Sequence, residues 1–288
     1  MTAGDRFVWI DGRLCAAREA TVPFLDRGAH DGEGLFETLR VYDGRPFAWD
    51  RHLERLVVSA AELGFPVAPS PSLLERALGE VLEANRLREA AARITVTRGT
   101  PGRRPTQAGV WVEAEPIEAR LWRGTRARAA RVVFSRPLFE PGSIGRHKTV
   151  SRLAYHLARE EARAARADEA LLVSTSGELL EGAVSNVFAV FAGRVVTPPL
   201  ALGILPGITR AIVLELCASF GLPAAEARVR ADALAEADEL FLTNSVQEIV
   251  PVRDLDGRRL PGREIGLRLD AAFAERVAAG ARDTPRSG

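Results

Sequence analysis

Against 38 arginines the chain holds one lysine, Lys148. Wherever positive charge is wanted, arginine supplies it, and its guanidinium, with a pKa above ~12, stays protonated. Lysine differs because its amine can lose a proton when desolvated or placed beside another cation, and it then attacks carbonyl groups to form Schiff bases. Two readings of Lys148 follow from the count alone: covalent chemistry at a carbonyl, or a surface lysine that compositional drift left in place. Other residues with chemical potential decide between them.

Glu181 ends an apolar run and precedes Gly182. A carboxylate so placed is semi-buried and needs a cationic partner, either a protonated ring nitrogen or one of the arginines. Pro206-Gly-Ile-Thr209 opens a helical pattern with Gly-flexible backbone and a hydroxyl. Such a start can hold a phosphate on backbone N–H groups, although many helices begin this way for capping alone. An amine, an acid and a phosphate cradle are together what pyridoxal phosphate requires, since its ring nitrogen needs an acidic partner to act as an electron sink. Period-two alternation puts Phe36, Thr38 and Arg40 on one strand face and Glu37 and Leu39 on the other. The first face could line a pocket or be an ordinary sheet surface.

The elements that must carry these residues follow from turns and periodicity. Asp-Gly pairs at 11–12, 43–44 and 256–257 predict hairpins, the first joining Phe7–Ile10 to Arg13–Ala16 and the second joining a strand over Leu35–Tyr42 to one over Arg45–Trp49. Asp50 is a plausible N-cap for a helix to Leu63 that stops at Gly64, and Ser72-Leu-Leu-Glu75 reads as a capping box for the next helix, ending near Ala84. Strands are expected over 92–98, 110–115, 129–135, 170–174, 179–181, 187–191, 194–197 and 239–242. Val150, Leu153, Ala154, Leu157, Ala158 and Ala162 recur at helical spacing, which places Lys148 at or just before a helix N-terminus. Further helices run from the Leu205–Thr209 segment to Phe220 and from Glu264 to Ala278. The loss of periodicity after Pro116 divides the chain into a mixed α+β part at 1–116, a linker at 117–124 and a larger part at 125–279, with a flexible tail at 280–288.

Hydrophobic residues at 47% and charged residues at 27% fit an ordinary globular protein. A net charge of +1 argues against nucleic acid or an anionic membrane as the main partner. The basic stretch from Arg120 to Arg131 is interrupted by apolar and small residues and reads as a solvated linker. Cys15 and Cys217 form no disulfide framework, and neither they nor the four histidines have a metal-ligand spacing. No basic region followed by an apolar run opens the chain, and no apolar stretch approaches the ~18 residues of a membrane span. A reducing cytoplasm is the expected compartment.

From Asp26-Arg-Gly28 to Pro251-Val252 the chain resembles the class IV (fold type IV) pyridoxal-phosphate-dependent aminotransferases. This family includes branched-chain and D-amino acid aminotransferases, (R)-amine transaminases and 4-amino-4-deoxychorismate lyases. The resemblance is carried by the lysine followed by Asp168-Glu-Ala-Leu-Leu172, by Glu181-Gly-Ala-Val-Ser-Asn-Val-Phe188 and by Gly207-Ile-Thr-Arg210. It implies an α/β (α+β) protein of two domains, the smaller N-terminal, with the cofactor between them in a homodimer. It further implies that Lys148 holds the cofactor and shuttles the substrate proton, and that Glu181 pairs with the ring nitrogen. Arg55, Ile208, Thr209 and Ser245 would hold the phosphate.

Substrate residues depart from each branch of the family. Enzymes for branched-chain substrates carry a tyrosine five residues after the lysine, where this chain has Leu153. Glu181 to Phe188 and Glu248 to Val252 look closest to D-amino acid aminotransferases, which trap the substrate carboxylate with a tyrosine, an arginine and a histidine. The corresponding positions here are Phe36, Arg103 and Pro105, so the carboxylate must be held differently, with help from Arg40 or Arg104. Thr38 and Arg152-Leu153 are similar to the lyases, whereas Gly207 to Arg210 and Glu248-Ile249 look like transaminases. The expectation is a transaminase moving an amino group between a D-amino acid or (R)-amine and a 2-oxo acid, through a Lys148 Schiff base and a 1,3-proton shift. Pyruvate elimination by a lyase comes second, ahead of a branched-chain aminotransferase or a non-catalytic binding protein.

Overall fold

Both residues of each Asp-Gly pair, Asp11-Gly12, Asp43-Gly44 and Asp256-Gly257, have positive φ. That is the backbone of the tight turn whose twist matches paired strands. The computed structural model describes residues 6–65, 69–102, 108–117 and 129–280. It divides into one unit of Met1–Ile117 with His147–Ser151 and another of Glu118–Arg146 with Arg152–Gly288.

In the first unit β1 (Phe7–Ile10) and β2 (Arg13–Ala16) form the opening hairpin. Asp26 caps the short α1 (Arg27–His30), accepting hydrogen bonds from the Gly28 and Ala29 amides. Then come β3 (Gly34–Tyr42), β4 (Arg45–Pro46), α2 (Trp49–Glu62), α3 (Pro71–Ala84), β5 (Ala90–Thr97) and β6 (Val110–Pro116). The six strands lie in the order β2-β1-β6-β5-β3-β4, antiparallel throughout. One face carries Trp9, Leu35, Leu39, Ile94, Val96 and Val112, which pack on Leu53 and Leu56 of α2 and Leu74, Leu78 and Val81 of α3. The other face carries Phe36, Thr38 and Arg40.

The second unit opens with β7 (Ala130–Phe134) and continues through α4 (Leu153–Ala164), β8 (Glu169–Val173), β9 (Leu179–Gly182), β10 (Asn186–Phe191), β11 (Arg194–Thr197), α5 (Ile208–Ser219), β12 (Ala224–Glu226), β13 (Glu239–Asn244), β14 (Glu248–Leu255), β15 (Arg258–Arg259) and α6 (Glu264–Gly280). Its strands run β12-β11-β10-β13-β14-β7-β8-β9, with β15 beside β14. Alternation sends Val187, Ala189, Leu240 and Leu242 into one apolar cluster. Phe188 and Phe241 go to the opposite side, where their rings stack at 4.8 Å and Gly266 of α6 lies against Phe241. On β8 and β9, Ala170, Leu172 and Leu180 meet Ala158 and Ala162 of α4.

Several local expectations are corrected. The strand after Gly44 is assigned only to Pro46, although the Phe47 N–H still donates to the Arg40 carbonyl at 2.9 Å, and the chain then turns at Ala48, the N-cap of α2 in the left-handed region at φ 53°, so that α2 starts at Trp49. Asp50 therefore sits in the first turn, where its charge still favours the helix dipole. Ser70 caps α3 in place of Ser72: its hydroxyl accepts the Leu73 N–H at 3.2 Å, and Pro71 occupies the first helical position. Lys148 is not at a helix terminus, since α4 begins only at Leu153. Residues 147–151, assigned from sequence to the larger part, run extended alongside β3 in the first unit. The expected linker and tail fall largely at 118–128 and 281–288, outside the described residues.

Among the described residues no helix is long and apolar enough to cross a membrane, and no cluster of side chains is placed to hold a metal ion. Both cysteines are free and buried. Replacing Ser70 by Ala is expected to cost about 1 kcal/mol in urea unfolding, while Ser72→Ala stays within roughly 0.5 kcal/mol. Equal losses for the two would return the cap to Ser72.

Candidate active site

In the first unit the amine is fixed through its backbone. Phe36 N–H donates to the Lys148 carbonyl at 2.8 Å and Val150 N–H to the Gly34 carbonyl at 2.9 Å. His147, just before the lysine, is buried and bonded to α2: Nδ1 pairs with Ser59 Oγ at 3.1 Å, and Nε2 lies 3.5 Å from Glu62. Lys148 Nζ then stands 4.7 Å from the Phe36 ring centroid. The Arg93 guanidinium lies 3.7 Å from the same centroid, and its Nε donates to Thr95 at 3.3 Å. Thr38 is paired with Arg93 in the β3–β5 register, and Arg40 continues the face, 4.7 Å over the Tyr42 ring and 3.8 Å from Glu89. The sheet surface beside the amine is thus polar and cationic.

On the opposite face of β3, Glu37 is buried and points at α2. Its carboxylate accepts from Arg55 Nε at 2.8 Å, Arg55 Nη2 at 2.6 Å and His52 Nδ1 at 2.7 Å. Burial alone would raise the Glu37 pKa, but the Arg55 charge and the His52 and Arg55 hydrogen bonds overcome it and hold the group at about 2. An ionised carboxylate can only accept, so His52 Nδ1 carries the shared proton. Burial, together with the charges of Arg55 and Lys148, pushes His52 below its usual value in spite of Glu37. Arg55 is therefore half of a bidentate buried pair, well beyond the surface arginine that its amphipathic helix suggests.

The second unit gathers Glu181, Ile208, Thr209 and Ser245 at one end of its sheet. Glu181 Oε2 accepts from Asn186 Nδ2 at 3.3 Å and from the Leu205 amide at 3.2 Å, and Asn186 Nδ2 also donates to the Leu205 carbonyl at 3.0 Å. Tyr155 reaches the same acid. Burial and the Glu181 charge push its phenol up to about 12, and the Arg152 guanidinium covers its ring at 3.4 Å from the centroid. Gly207 starts α5 with no side-chain cap, and a Cβ there would come within 1.9 Å of Asn186 Oδ1. Only glycine lets the uncapped amides of Ile208 and Thr209 approach this end so closely. Thr243, paired with Asn186 across β10 and β13, is buried, and its hydroxyl has no partner among the described residues. Ser245 follows in the turn, where Asn244 Oδ1 accepts the Val246 and Gln247 amides at 3.0 and 2.7 Å.

An anchored acid, an open helix N-terminus and an orphaned buried hydroxyl suit a group with a cationic ring nitrogen and a phosphate. That is the donor set of a pyridoxal phosphate site, and the residues present fit it.

Within the first unit Lys148, Phe36, Thr38, Arg40 and Arg55 gather around β3. Arg103, Arg104 and Pro105 lie outside the described residues. Sequence reasoning missed Arg93, His147 and Tyr155. Alternation along β5 marks Arg93 as facing away from the core, but only the register shows which residue of β3 it meets. Asn186 stands inside the motif that carried the resemblance, yet its work of tying Glu181 to the Leu205 loop is legible only in space.

The family model for class IV amino-transferases matches residues 34–255. A putative branched-chain-amino-acid aminotransferase of Methanocaldococcus jannaschii is 33% identical over 264 residues, covering 90% of this chain and 91% of that one. A D-alanine aminotransferase of Bacillus licheniformis is 32% identical over 257 residues, with 88% and 89% covered. Among solved structures, a branched-chain aminotransferase from Thermoproteus uzoniensis with norvaline superposes with a TM-score of 0.85 at 30% identity, covering 97% of both chains.

Replacing Glu37 by Gln leaves Arg55 buried without its counter-charge and is expected to cost about 3–5 kcal/mol at pH 7. The Glu37 pKa falls on folding, from its ordinary 4.5 to about 2. Its stabilisation is therefore complete above the ordinary value and lost as pH drops toward the folded one. Urea titrations from pH 7 to pH 3 should show the wild type losing this increment and Glu37→Gln showing a flatter curve. Parallel curves would remove the charge from the account.

Proposed function

Because this chain belongs to the class IV amino-transferase family, whose cofactor is pyridoxal phosphate, we propose that it moves the amino group of an α-amino acid, of the D series, to a 2-oxo acid. One observation carries the reading: the Lys148 amine and the Arg93 guanidinium share the Phe36 ring, at 4.7 and 3.7 Å from its centroid. With both cations against one ring, an α-amino acid whose nitrogen takes the place of the lysine amine would turn its carboxylate toward the planar guanidinium fork. A simple (R)-amine has nothing to place there.

When bound, pyridoxal phosphate supplies a carbonyl for amines and a ring that takes up the electron pair left as the substrate Cα is deprotonated. Lys148 would hold the cofactor through that carbonyl, and its Nζ would move the proton from substrate Cα to the former carbonyl carbon, the 1,3-shift that transamination needs. Glu181, held by Asn186 and the Leu205 amide, would keep the ring nitrogen protonated. The α5 N-terminus, Thr209, Ser245 and Arg55 would hold the phosphate, with the Arg55 fork fixed by Glu37, itself bonded to His52. The D preference rests on the Glu181 to Phe188 and Glu248 to Val252 motifs. Leu153, at the place where branched-chain enzymes have a tyrosine, is 70% exposed and supplies no polar group.

Purified protein is expected to be yellow, and Lys148→Ala to remove the absorption band. In single half-reactions D-alanine should discharge the band faster than L-leucine or (R)-1-phenylethylamine. Discharge by L-leucine alone would replace the D reading with a branched-chain one. Pyruvate release from aminodeoxychorismate with the band unchanged would favour the lyase. Arg93→Ala removes a charge-assisted hydrogen bond of about 1.5–3 kcal/mol. KM for the amino acid should accordingly rise roughly ten- to a hundred-fold with little change for (R)-1-phenylethylamine. Equal losses for both substrates would deny Arg93 its carboxylate.

A further inference from the structure

We propose that Glu169, which no proposed step uses, is a positioning residue: its buried carboxylate clamps the 182–185 turn and so sets where Glu181 and Asn186 stand. The inference rests on the function proposed above. Glu169 opens β8 at 1% exposure. Oε2 accepts from Ser185 Oγ at 2.9 Å and the Val184 amide at 3.2 Å, and Oε1 accepts from the Ala170 amide at 3.0 Å. The turn also closes on itself, Gly182 N–H donating to the Ser185 carbonyl at 2.7 Å, and on β8 through Ala183 N–H to the Ala170 carbonyl at 3.0 Å. A Cβ on Gly182 would come 2.2 Å from Ser185 Oγ and 3.1 Å from Glu169, so the turn is packed directly on the carboxylate. Glu181 is the residue before this turn and Asn186 the residue after it. Their side chains meet at 3.3 Å, so movement of the turn changes the seat of the acid.

The clamp depends on charge. An ionised carboxylate accepts all three hydrogens, whereas a protonated one must turn an O–H toward the Ser185 hydroxyl and reverse that bond. Burial pushes Glu169 up to about 7, against the bonds from Ser185, Ala170 and Val184 and the charge of Arg159. Arg159 faces it from α4, while β7 presents Val132 and the turn presents the Ser185 hydroxyl, neither of which is charged. As pH falls through this value the clamp loosens.

The test uses holoenzyme. Glu169→Gln keeps the shape but puts an amide N–H against a donor, so kcat should fall roughly ten- to a hundred-fold from misplacement of the acid, with KM nearly unchanged. The step in kcat near pH 7 should vanish. Val184 amide protection from hydrogen exchange, normalised to its intrinsic rate, should fall in wild-type protein as pH drops from 8 to 6 and stay low in the variant. Ser185→Ala removes a donor to the charged form and should move the kcat midpoint to higher pH, which keeps the test open should Glu169→Gln fail to fold. A wild-type kcat profile and Val184 protection in Glu169→Gln, or an unmoved midpoint in Ser185→Ala, would overturn the proposal. If Lys148→Ala is inactive alongside such a result, the proposed function stands and only the clamp is lost.

Discussion

One backbone hydrogen bond, from Phe36 N–H to the Lys148 carbonyl, decides where the only primary side-chain amine in this chain stands. A lysine has four rotatable side-chain bonds and roughly 2 kcal/mol of rotamer entropy, so its reach has meaning only if its root is fixed. Here the root is tied to β3 on one side and, through His147, to Ser59 and Glu62 on the other. The amine is left against an aromatic face that also carries a guanidinium. A surface lysine kept by chance has no such seat.

Two carboxylates do opposite electrostatic work. Glu37 is buried, yet an arginine fork and a histidine stabilise its charge enough to reverse the cost of burial, giving a clamp on Arg55 that is ionised at neutral pH. Glu169 is as deeply buried but meets only neutral donors at bonding distance, so desolvation prevails and its group rises toward neutrality. The contrast follows from partner charge, since burial is nearly the same for both. It divides the polar interior into a part that responds only to acid and a part that responds near neutrality.

The sequence exposes what is local. Asp-Gly turns demand positive φ at both residues, so the hairpins are legible. The fold class and the family's cofactor follow from the order of the lysine, Glu181 to Phe188 and Gly207 to Arg210. What the sequence hides is pairing across distance. Val150 keeps time with the apolar residues of α4, yet it is drawn to β3 by hydrogen bonding to Gly34, because a strand edge satisfies its backbone as well as a helix would. Arg93 meets Phe36 only through the β3–β5 register. Ser70 outcompetes Ser72 as a cap because proline at the next position is already set in a helical φ.

The account comes down to whether this amine bonds covalently to the cofactor carbonyl. Reducing the holoenzyme with borohydride fixes that bond, and peptide mapping by mass spectrometry then locates it. The phosphopyridoxyl group should be found on the peptide containing Lys148 at close to one per chain, and nowhere else. Its recovery on the chain's α-amino group, or an unmodified Lys148 peptide in yellow protein, would contradict the central claim.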